Sequence, residues 1–467
     1  MQYISTRGSA PSHGFEDVLL AGLARDGGLY LPETWPRLEP GQIAAFAGRP
    51  FAEVAVEVIS PFVGGAINRK DLLAMAESAY ASFGHPAVTP LVQIGSNLWV
   101  LELFHGPTLA FKDVAMQLLA RLMDHVLGQR KRRATIVGAT SGDTGGAAIE
   151  AFRGSRAVDV VILFPDGRVS DVQRRMMTTP RESNVHAVAI DGTFDDCQAL
   201  VKAMFNHHAF RDRMQLAGVN SINWARIVAQ VTYYFVAGAA LGAPHRPVSF
   251  AVPTGNFGDI FAGYVARQMG LPIERLVIGS NTNDILPRTV SSGVYEKRGV
   301  AATTSPSMDI EVSSNFERYL FEAQGGDAAL IRSQMAALGQ AGRFEVKGGA
   351  ALLARDFSAA SASEGEVAEA IRRIRAQTGY TAEPHTACGL IAAERCLADG
   401  PVPSVVLSTA HPAKFPDTMQ AILGERPALP PRLSTLMTDE ERFTVLPNDL
   451  AAVESFIEER AAAGLTA

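Results

Sequence analysis

The sequence has little cysteine and no long hydrophobic run, and both shortages narrow the class of protein. Cys197, Cys388 and Cys396 are the only cysteines in 467 residues, and they form no CxxC pair and no His/Cys spacing typical of a metal site. This usage indicates a reducing compartment without disulfides. No run of roughly 18 apolar residues and no apolar signal segment occurs, so we expect a soluble, cytoplasmic protein with no membrane partner.

The sequence also lacks a large excess of charge of one sign and the two common nucleotide-binding motifs. Its 42 basic and 48 acidic residues leave a net charge of −6, and its one basic cluster, at 130–133, suits a solvated helix end. We therefore expect no nucleic-acid partner. No Walker A loop and no GxGxxG turn is present, so a nucleotide kinase or a dinucleotide-dependent dehydrogenase is not indicated.

What the sequence does have is an alternation of short apolar runs and helical stretches, which is typical of an α/β fold with sheets covered on both faces. Residues 1–92 differ, because their periodicity is mostly helical, with helices predicted at 15–24 and 70–83. The predicted strands are 98–103, 134–139, 158–164, 184–190, 248–252, 275–278 and 404–407.

The length of the chain predicts more than one structural unit after the helical region, since single cores stop growing well below 467 residues. We expect one α/β domain at 93–245 and a second at 246–467. The segment near 290–365 breaks the alternation and is predicted to be an insertion or lid. The sequence leaves open whether residues 303–365 cover a site.

Lys112 lies in an apolar segment behind a Gly-Pro turn, Leu103-Phe-His-Gly-Pro-Thr-Leu-Ala-Phe-Lys-Asp113. A buried ammonium without a partner is costly, and desolvation lowers the pKa of a lysine so that its amine can act as a nucleophile or base. Lys112 is therefore a candidate Schiff-base lysine. The alternatives are an ion pair with Asp113 or a stem that snorkels from a helix start.

Two predicted strands end in glycine-rich loops that lead into helices, and such loops offer backbone N–H groups to anions. The first is Ala139-Thr-Ser-Gly-Asp-Thr-Gly145, with hydroxyls at Thr140, Ser141 and Thr144. The second, Thr254-Gly-Asn-Phe-Gly258, suits a phosphate monoester. The first loop could instead be an ordinary N-cap through Ser141 or Asp143, and the second a plain turn.

Two further segments add a hydroxyl and a guanidinium. Ser408 and Thr409 follow the strand at 404–407, where an uncharged hydroxyl could meet a ring nitrogen, although a capped turn also explains them. Asn223 and Arg226 lie one helical turn apart, and the arginine suits a dianionic phosphate or a carboxylate unless it is a surface ion pair. Together with Lys112, these features fit a phosphorylated aldehyde cofactor held as an imine.

Several longer segments carry a family resemblance that covers nearly the whole chain. They include 5–8, 26–32, His105-Gly-Pro-Thr-Leu-Ala-Phe-Lys-Asp113, 139–145, 255–259 and Ser408-Thr-Ala-His-Pro-Ala-Lys-Phe415. With them the chain resembles the threonine synthase family, in its longer subgroup, among the pyridoxal-phosphate enzymes of fold type II. The resemblance implies two open twisted α/β domains with the cofactor in the cleft, and a mostly helical N-terminal region.

The resemblance also implies a set of cofactor-binding residues. Lys112 would hold pyridoxal 5′-phosphate as a Schiff base, and the Thr409 hydroxyl would bond the pyridine nitrogen. A hydroxyl there makes the ring a milder electron sink than a carboxylate would. The residues implied for the cofactor phosphate are Gly255, Asn256, Phe257, Gly258 and Asp259.

For the substrate, the resemblance implies two groups of residues. Asn223 and Arg226 are expected at the substrate phosphate. Asp143 stands where shorter fold-type relatives have Asn, so a hydrogen bond from this position to the cofactor phenolate is not assumed. The residues implied for the substrate carboxylate and the pyridoxal side are Thr140, Ser141, Asp143 and Thr144.

The implied activity is the conversion of O-phospho-L-homoserine and water to L-threonine and phosphate, the last step of threonine biosynthesis. It combines γ-elimination of phosphate with β-addition of water, and makes the protein a carbon–oxygen lyase. The alternative is a serine/threonine dehydratase-like lyase; a non-catalytic relative would be expected to lose Lys112. The resemblance favours a monomer, and the sequence does not decide whether the released phosphate acts as a base.

Overall fold

The structure is a computed structural model that describes residues 1–397 and 400–461. Its strands are β1 (Tyr3–Ser5), β2 (Tyr30–Pro32), β3 (Leu91–Gln93), β4 (Leu98–Glu102), β5 (Ala134–Ala139), β6 (Val158–Pro165), β7 (Val185–Asp191), β8 (Leu216–Ala217), β9 (Val248–Pro253), β10 (Ile273–Ser280), β11 (Val294–Glu296), β12 (Arg343–Glu345), β13 (Phe357–Ser361), β14 (Ser404–Ser408) and β15 (Thr444–Pro447).

The α-helices are α1 (Phe15–Ala21), α2 (Pro40–Ala44), α3 (Phe51–Val63), α4 (Arg69–Tyr80), α5 (Lys112–Arg130), α6 (Asp143–Phe152), α7 (Asp171–Thr178), α8 (Phe194–Asn206), α9 (His208–Arg213), α10 (Trp224–Ala240), α11 (Gly258–Gln268), α12 (Ile285–Ser292), α13 (Phe316–Ala323), α14 (Ala328–Ala341), α15 (Gly349–Asp356), α16 (Glu364–Thr378), α17 (Pro384–Cys396), α18 (Pro416–Leu423) and α19 (Leu450–Arg460). Among the described residues, no helix is both long enough and apolar enough to cross a membrane.

Two larger sheets organise the fold. One has six strands in the order β13-β10-β9-β14-β4-β3, parallel except for β3 against β4, and the other has five parallel strands in the order β15-β7-β6-β5-β8. The central strands are buried throughout, as continuous apolar runs predict for parallel sheets with helices on both faces. The α/β fold class expected from the sequence is confirmed.

Helix α10 is the packing centre, because nearly every one of its side chains is buried and it contacts α3, α5 and α11. The N-terminal helices therefore share one continuous hydrophobic core with the sheets. In open α/β sheets, ligands bind beyond the carboxyl ends of the parallel strands. We therefore expect a ligand site at the carboxyl ends of β5 in one sheet and of β9 and β14 in the other.

The sheets do not follow the consecutive ranges predicted for the two domains. Strand β4 pairs with β14 of the six-stranded sheet rather than with β5, and β15, near the end of the chain, joins the five-stranded sheet. The predicted insertion at 290–365 also ends too late, because β13 within it forms the edge strand beside β10. Apolar strands of similar composition carry little information about their partners, which is why the sequence does not indicate these pairings.

Candidate active site

Lys112 opens helix α5, and its amine lies in a cavity at the strand ends. Its side chain is 11% exposed, with Nζ 3.3 Å from Asp143 Oδ2 and 3.4 Å from Ser307 Oγ. Burial lowers the pKa of Lys112, while the Asp143 charge opposes that shift. The alternative pair with Asp113 is wrong, because that carboxylate accepts hydrogen bonds from the N–H and hydroxyl of Thr108.

Asp143 is the centre of a buried polar cluster. Its Oδ1 contacts Lys414 Nζ at 2.5 Å and accepts a 2.9 Å hydrogen bond from Gln173, while Oδ2 faces Lys112 and accepts from Ser307 at 3.2 Å. Burial alone would raise the pKa of Asp143, but the charges of the two lysines hold it well below its usual range. Asp143 therefore stays ionised beside the Lys112 amine.

Sequence reasoning missed Lys414, Ser307 and Gln173 as parts of this cluster. Lys414 lies within the Ser408–Phe415 segment, which gave a sequence signal for the site, but nothing marked its ammonium as a partner of Asp143. Gln173 belongs to α7, and Ser307 lies in a stretch rich in serine and threonine at 303–314. Neither has a spacing relation to Lys112 that a sequence pattern would reveal.

The glycine loop after β9 presents a row of backbone donors to the same cavity. Phe257 adopts a left-handed conformation with φ of 62°, which turns the chain into α11. Within the described part of the chain, the N–H groups from Gly255 to Asp259 have no hydrogen-bond acceptor. A Cβ on Gly255 would lie 2.9 Å from the Ser307 carbonyl oxygen, so only glycine fits there. The loop is an anion cradle.

Asp259 also lines the cavity, but its carboxyl is held by tyrosines. Tyr233 donates to Oδ1 at 2.5 Å and Tyr234 at 3.0 Å, whereas Oδ2 has no partner among the described residues. Burial raises the pKa of Asp259 to about 7, with the tyrosine hydrogen bonds acting in the opposite direction. An ionised carboxylate at this point would repel a phosphate, so the neutral form is the one compatible with an anion in the loop.

Arg226 and Asn223 were predicted to lie in one site, but only Arg226 lines the cavity. Arg226 lines the cavity and is 3% exposed; its Nη1 donates to the Val219 carbonyl at 3.1 Å, and its Nε has no partner within the described residues. Burial lowers the pKa of Arg226 to about 10. Asn223 instead caps α10, accepting from the Ala225 N–H and donating to the Leu19 carbonyl.

In the loop after β5, some of the predicted residues line the cavity and others do not. Thr140 Oγ1 accepts 2.9 Å hydrogen bonds from the N–H groups of Gly142 and Gly145, so it shapes the loop rather than lining the cavity. Ser141 is exposed, whereas Asp143 and Thr144 line the cavity. The alternative N-cap through Ser141 or Asp143 is wrong, because Gly142 is the capping residue.

Thr409 lies at the end of β14 and is connected to the lysine segment. Its carbonyl accepts a 2.8 Å hydrogen bond from the Phe111 N–H, and Ala110 and Ala410 form an isolated β-bridge. The side chain of Thr409 lines the cavity. Ser408 points elsewhere, since its hydroxyl bonds those of Thr386 and Tyr380.

The cavity has a volume of about 390 Å³, within the range of small-molecule sites. Three independent observations show that its residues fit pyridoxal phosphate. Lys112 is buried and its pKa is lowered, the backbone N–H groups of the glycine loop have no acceptor among the described residues, and Thr409 brings an uncharged hydroxyl from the end of β14. An amine for an aldehyde and a cradle for a phosphate are thus present together. Fold and site define the class of pyridoxal-phosphate-dependent enzymes of fold type II.

Comparison with known proteins agrees with this class and narrows it. Three family models match consecutive parts of the chain: "Threonine synthase N terminus" at residues 2–80, "Pyridoxal-phosphate dependent enzyme" at 83–409 and "Threonine synthase, C-terminal" at 386–457. The threonine synthase of Pseudomonas aeruginosa is 52% identical over 98% of both chains.

Solved structures give the same result. The crystal structure described as PLP-bound threonine synthase from Brucella melitensis has a TM-score of 0.96 at 59% identity, over 99% of both chains. Yeast threonine synthase has a TM-score of 0.93 at 39% identity, again over 99% of both. The chain belongs to the threonine synthase family, and it is a pyridoxal-phosphate-dependent enzyme acting on a small-molecule substrate.

Proposed function

We propose that this cavity converts O-phospho-L-homoserine and water to L-threonine and phosphate, with Lys112 as the cofactor-bearing residue and base. The observation that carries the proposal is the pairing of a buried amine, Lys112, with a buried guanidinium, Arg226, that has no carboxylate partner among the described residues. One provides the reacting nitrogen, and the other provides an unused positive charge for a second anion beyond the cofactor phosphate.

The cofactor is proposed to lie between the glycine loop and the end of β14. The N–H groups from Gly255 through Asn256, Phe257 and Gly258 to Asp259 would hold its phosphate, and the Thr409 hydroxyl its pyridine nitrogen. When bound, pyridoxal phosphate supplies an electron sink for negative charge at the substrate α-carbon. The Brucella melitensis relative, described as PLP-bound, supports the assignment.

Lys112 is proposed to move protons once the substrate amine has taken its place on the cofactor. Burial lowers the pKa of Lys112 and so makes the neutral amine easier to reach, and the neutral amine is the form that can accept a proton from the substrate α-carbon. A β-proton must also be removed before phosphate leaves the γ-carbon; its removal, and the return of a proton to the γ-carbon afterwards, are assigned to the same amine. Asp143 supports this role, because its ionised Oδ2 lies 3.3 Å from Nζ and restrains the direction in which the amine points.

Arg226 is proposed to bind the substrate phosphate, since a buried guanidinium suits a dianion. Asn223 would contribute only by capping α10, which carries Arg226. Thr144 and the exposed Ser141 are proposed for the substrate carboxylate, with Thr140 holding their loop in shape. Asp143, also assigned to the substrate at first, is better matched to the lysines, because its negative charge would repel a carboxylate.

A dehydratase acting on serine or threonine is the alternative within the same fold. The unpaired Arg226 favours the phosphate substrate, because a dehydratase substrate carries a carboxylate, which is assigned to the loop after β5, but no phosphate that would occupy Arg226. The discriminating assay supplies each substrate in turn: O-phospho-L-homoserine should give equimolar threonine and phosphate, and L-threonine should release no ammonia. Ammonia from L-threonine at a comparable rate would overturn the assignment.

The lysine assignment has a matched test. Lys112→Ala should lose the visible absorption of bound cofactor and lower the rate by at least about 100-fold, the lower limit for loss of a general base. Lys70→Ala, on an exposed part of α4, should keep both. Lys112→Ala with a normal absorption band and normal threonine production would contradict the role of Lys112.

Three further expectations are retained as proposals. A monomer is proposed, with sedimentation equilibrium as its test. A cytoplasmic location is supported by the three free cysteines, two of them buried. The division into an N-terminal region at 1–92 and α/β domains at 93–245 and 246–467 is kept as a proposal, and limited proteolysis would reveal whether the chain is cut at those boundaries.

A further inference from the structure

The turn at 303–309 brings a hydroxyl to the reacting lysine, although no sequence pattern indicated a chemical role for this stretch. Ser307 Oγ lies 3.4 Å from Lys112 Nζ and donates to Asp143 Oδ2 at 3.2 Å. Ser307 thus contacts both the reacting nitrogen and the carboxylate that faces it. Its carbonyl oxygen packs on Gly255, the first residue of the glycine loop.

A half-buried carboxylate fixes this turn from within. Asp309 Oδ1 accepts hydrogen bonds from Asn281 Nδ2 at 2.8 Å, Asn283 Nδ2 at 2.8 Å and Thr303 Oγ1 at 2.7 Å, and Oδ2 accepts from the Thr303 N–H at 2.9 Å. These bonds connect the turn to the end of β10. Four hydrogen bonds to one carboxyl group give the turn a defined position.

A second support acts on the backbone of Ser307 itself. The Ser307 N–H donates to His385 Nε2 at 3.2 Å, and His385 Nδ1 lies 2.7 Å from Glu383 Oε2. Because Nε2 accepts a hydrogen bond, the ring proton is on Nδ1, and this N–H donates a hydrogen bond to Glu383, whose side chain is fully buried. The main chain of Ser307 is therefore held independently of its hydroxyl.

We propose that Ser307 is a catalytic residue, whose hydroxyl works with Asp143 to aim the Lys112 amine at the substrate. This inference rests on the proposed function of Lys112 as the base. The Lys112 nitrogen is tetrahedral, so three directions remain besides its bond to Cε. Two of them are used by the hydrogen bonds to Asp143 Oδ2 and Ser307 Oγ. The third position is left for the proton that arrives from the substrate α-carbon or is returned to its γ-carbon.

The serine hydroxyl suits both protonation states of the amine. Its oxygen accepts from a Lys112 N–H whether the amine is charged or neutral, and its own proton stays on Oγ and is donated in a hydrogen bond to Asp143 Oδ2. No bond to oxygen is broken and no second acceptor is needed. Loss of the hydroxyl leaves the amine with one anchor, so that its lone pair samples directions that miss the substrate carbons.

The test compares Ser307→Ala, Ser307→Thr and Ser291→Ala. Ser291 is an exposed serine of α12 whose hydroxyl donates to the Arg288 carbonyl. Ser307→Ala should lower kcat for threonine formation about ten- to 100-fold with KM changed less than about threefold, the effect of losing one hydrogen bond to a charged group. Ser307→Thr should recover part of the rate, and Ser291→Ala should match the wild type.

A second readout uses the protein without cofactor, so that it does not depend on turnover. The pH dependence of acetylation at Lys112, followed by mass spectrometry, should have a lower midpoint in Ser307→Ala, because the hydroxyl stabilises the ammonium form. An unchanged kcat together with an unchanged labelling midpoint would overturn the role of Ser307. Failure of the wild type to make threonine would instead count against the proposed function.

Discussion

Arg226 offers a prediction in which stability and activity change in opposite directions. The guanidinium is 3% exposed, one of its nitrogens has no partner among the described residues, and burial lowers its pKa to about 10. That depression corresponds to roughly 3 kcal/mol of unfavourable burial, since a tenfold change in proton affinity is worth about 1.4 kcal/mol. The penalty is present at neutral pH, because the lowered pKa means that the unfolded chain binds the proton more tightly.

Replacing Arg226 by methionine keeps the length of the side chain and removes the charge. In the absence of phosphate, Arg226→Met should be as stable as the wild type or up to about 3 kcal/mol more stable, as for other buried charges replaced by apolar residues. Its kcat/KM for O-phospho-L-homoserine should fall at least about thirtyfold, because losing one partner of a buried charge pair costs about 2 to 5 kcal/mol.

Arg318 is the matched control, because it is equally buried but fully engaged. Its Nε donates to the Tyr30 carbonyl at 2.9 Å and its Nη2 to the Ile222 carbonyl at 2.6 Å, and Nη1 bonds Asn315 Oδ1. Burial also lowers the pKa of Arg318, to about 9, so its charge is disfavoured in the same sense. Arg318→Met should nevertheless lose more stability than Arg226→Met, since it leaves three acceptors without a donor, at about 1 to 3 kcal/mol each.

The assay is urea unfolding of the three proteins with and without inorganic phosphate, together with steady-state kinetics. Phosphate should stabilise the wild type and Arg318→Met through binding to the native state, and it should stabilise Arg226→Met much less. The reasoning would be refuted if Arg226→Met lost as much stability as Arg318→Met while its kcat/KM stayed within about threefold of the wild-type value.

Three other predictions follow from the buried polar groups. Asp259→Asn should gain stability relative to the wild type as the pH rises from about 4 to about 7, because a pKa raised to about 7 by burial makes the native wild type progressively less stable over that window; pH-dependent urea titrations measure it. Asn223→Ala should cost about 1 kcal/mol of stability through loss of the α10 cap, with KM unchanged. Asp143→Asn should cost about 3 to 5 kcal/mol by leaving Lys414 unpaired, and the double variant with Lys414→Met should recover part of that loss.

Each of these has an outcome that contradicts it. For Asp259, a stability difference independent of pH would mean that the carboxyl titrates as it does in the unfolded chain. A raised KM in Asn223→Ala would restore that residue to the substrate site. Additive losses in the Asp143 and Lys414 variants would show that the two charges are not coupled.

The strands were predictable because parallel sheets bury continuous apolar runs, and β5 begins and ends where the sequence predicts. Pairing was not predictable: the partner of β4 lies some 300 residues away, and β-branched runs of similar composition do not distinguish β14 from β5. The two-residue β8 was missed for a different reason, because it is too short to show a period.

For the site, the sequence indicates residues whose chemistry is unusual in their local context. Lys112 among apolar neighbours and the glycine loop are of this kind, and the structure brings both to one cavity. Asn223 and Arg226 shared a helical spacing, but spacing does not say that one side chain caps the helix while the other enters the cavity. Lys414 and Ser307 reach Asp143 only through tertiary packing.

The central claim is that Lys112, and no other lysine, carries the cofactor. Lys414 makes the test demanding, because it is 1% exposed and lies on the other oxygen of the same carboxylate. Borohydride reduction of the enzyme with bound pyridoxal phosphate, followed by peptide mass spectrometry, fixes the cofactor on the nitrogen that holds it. The expected result is a phosphopyridoxyl group on Lys112 alone; the same group on Lys414, or no modified lysine at all, would contradict the account.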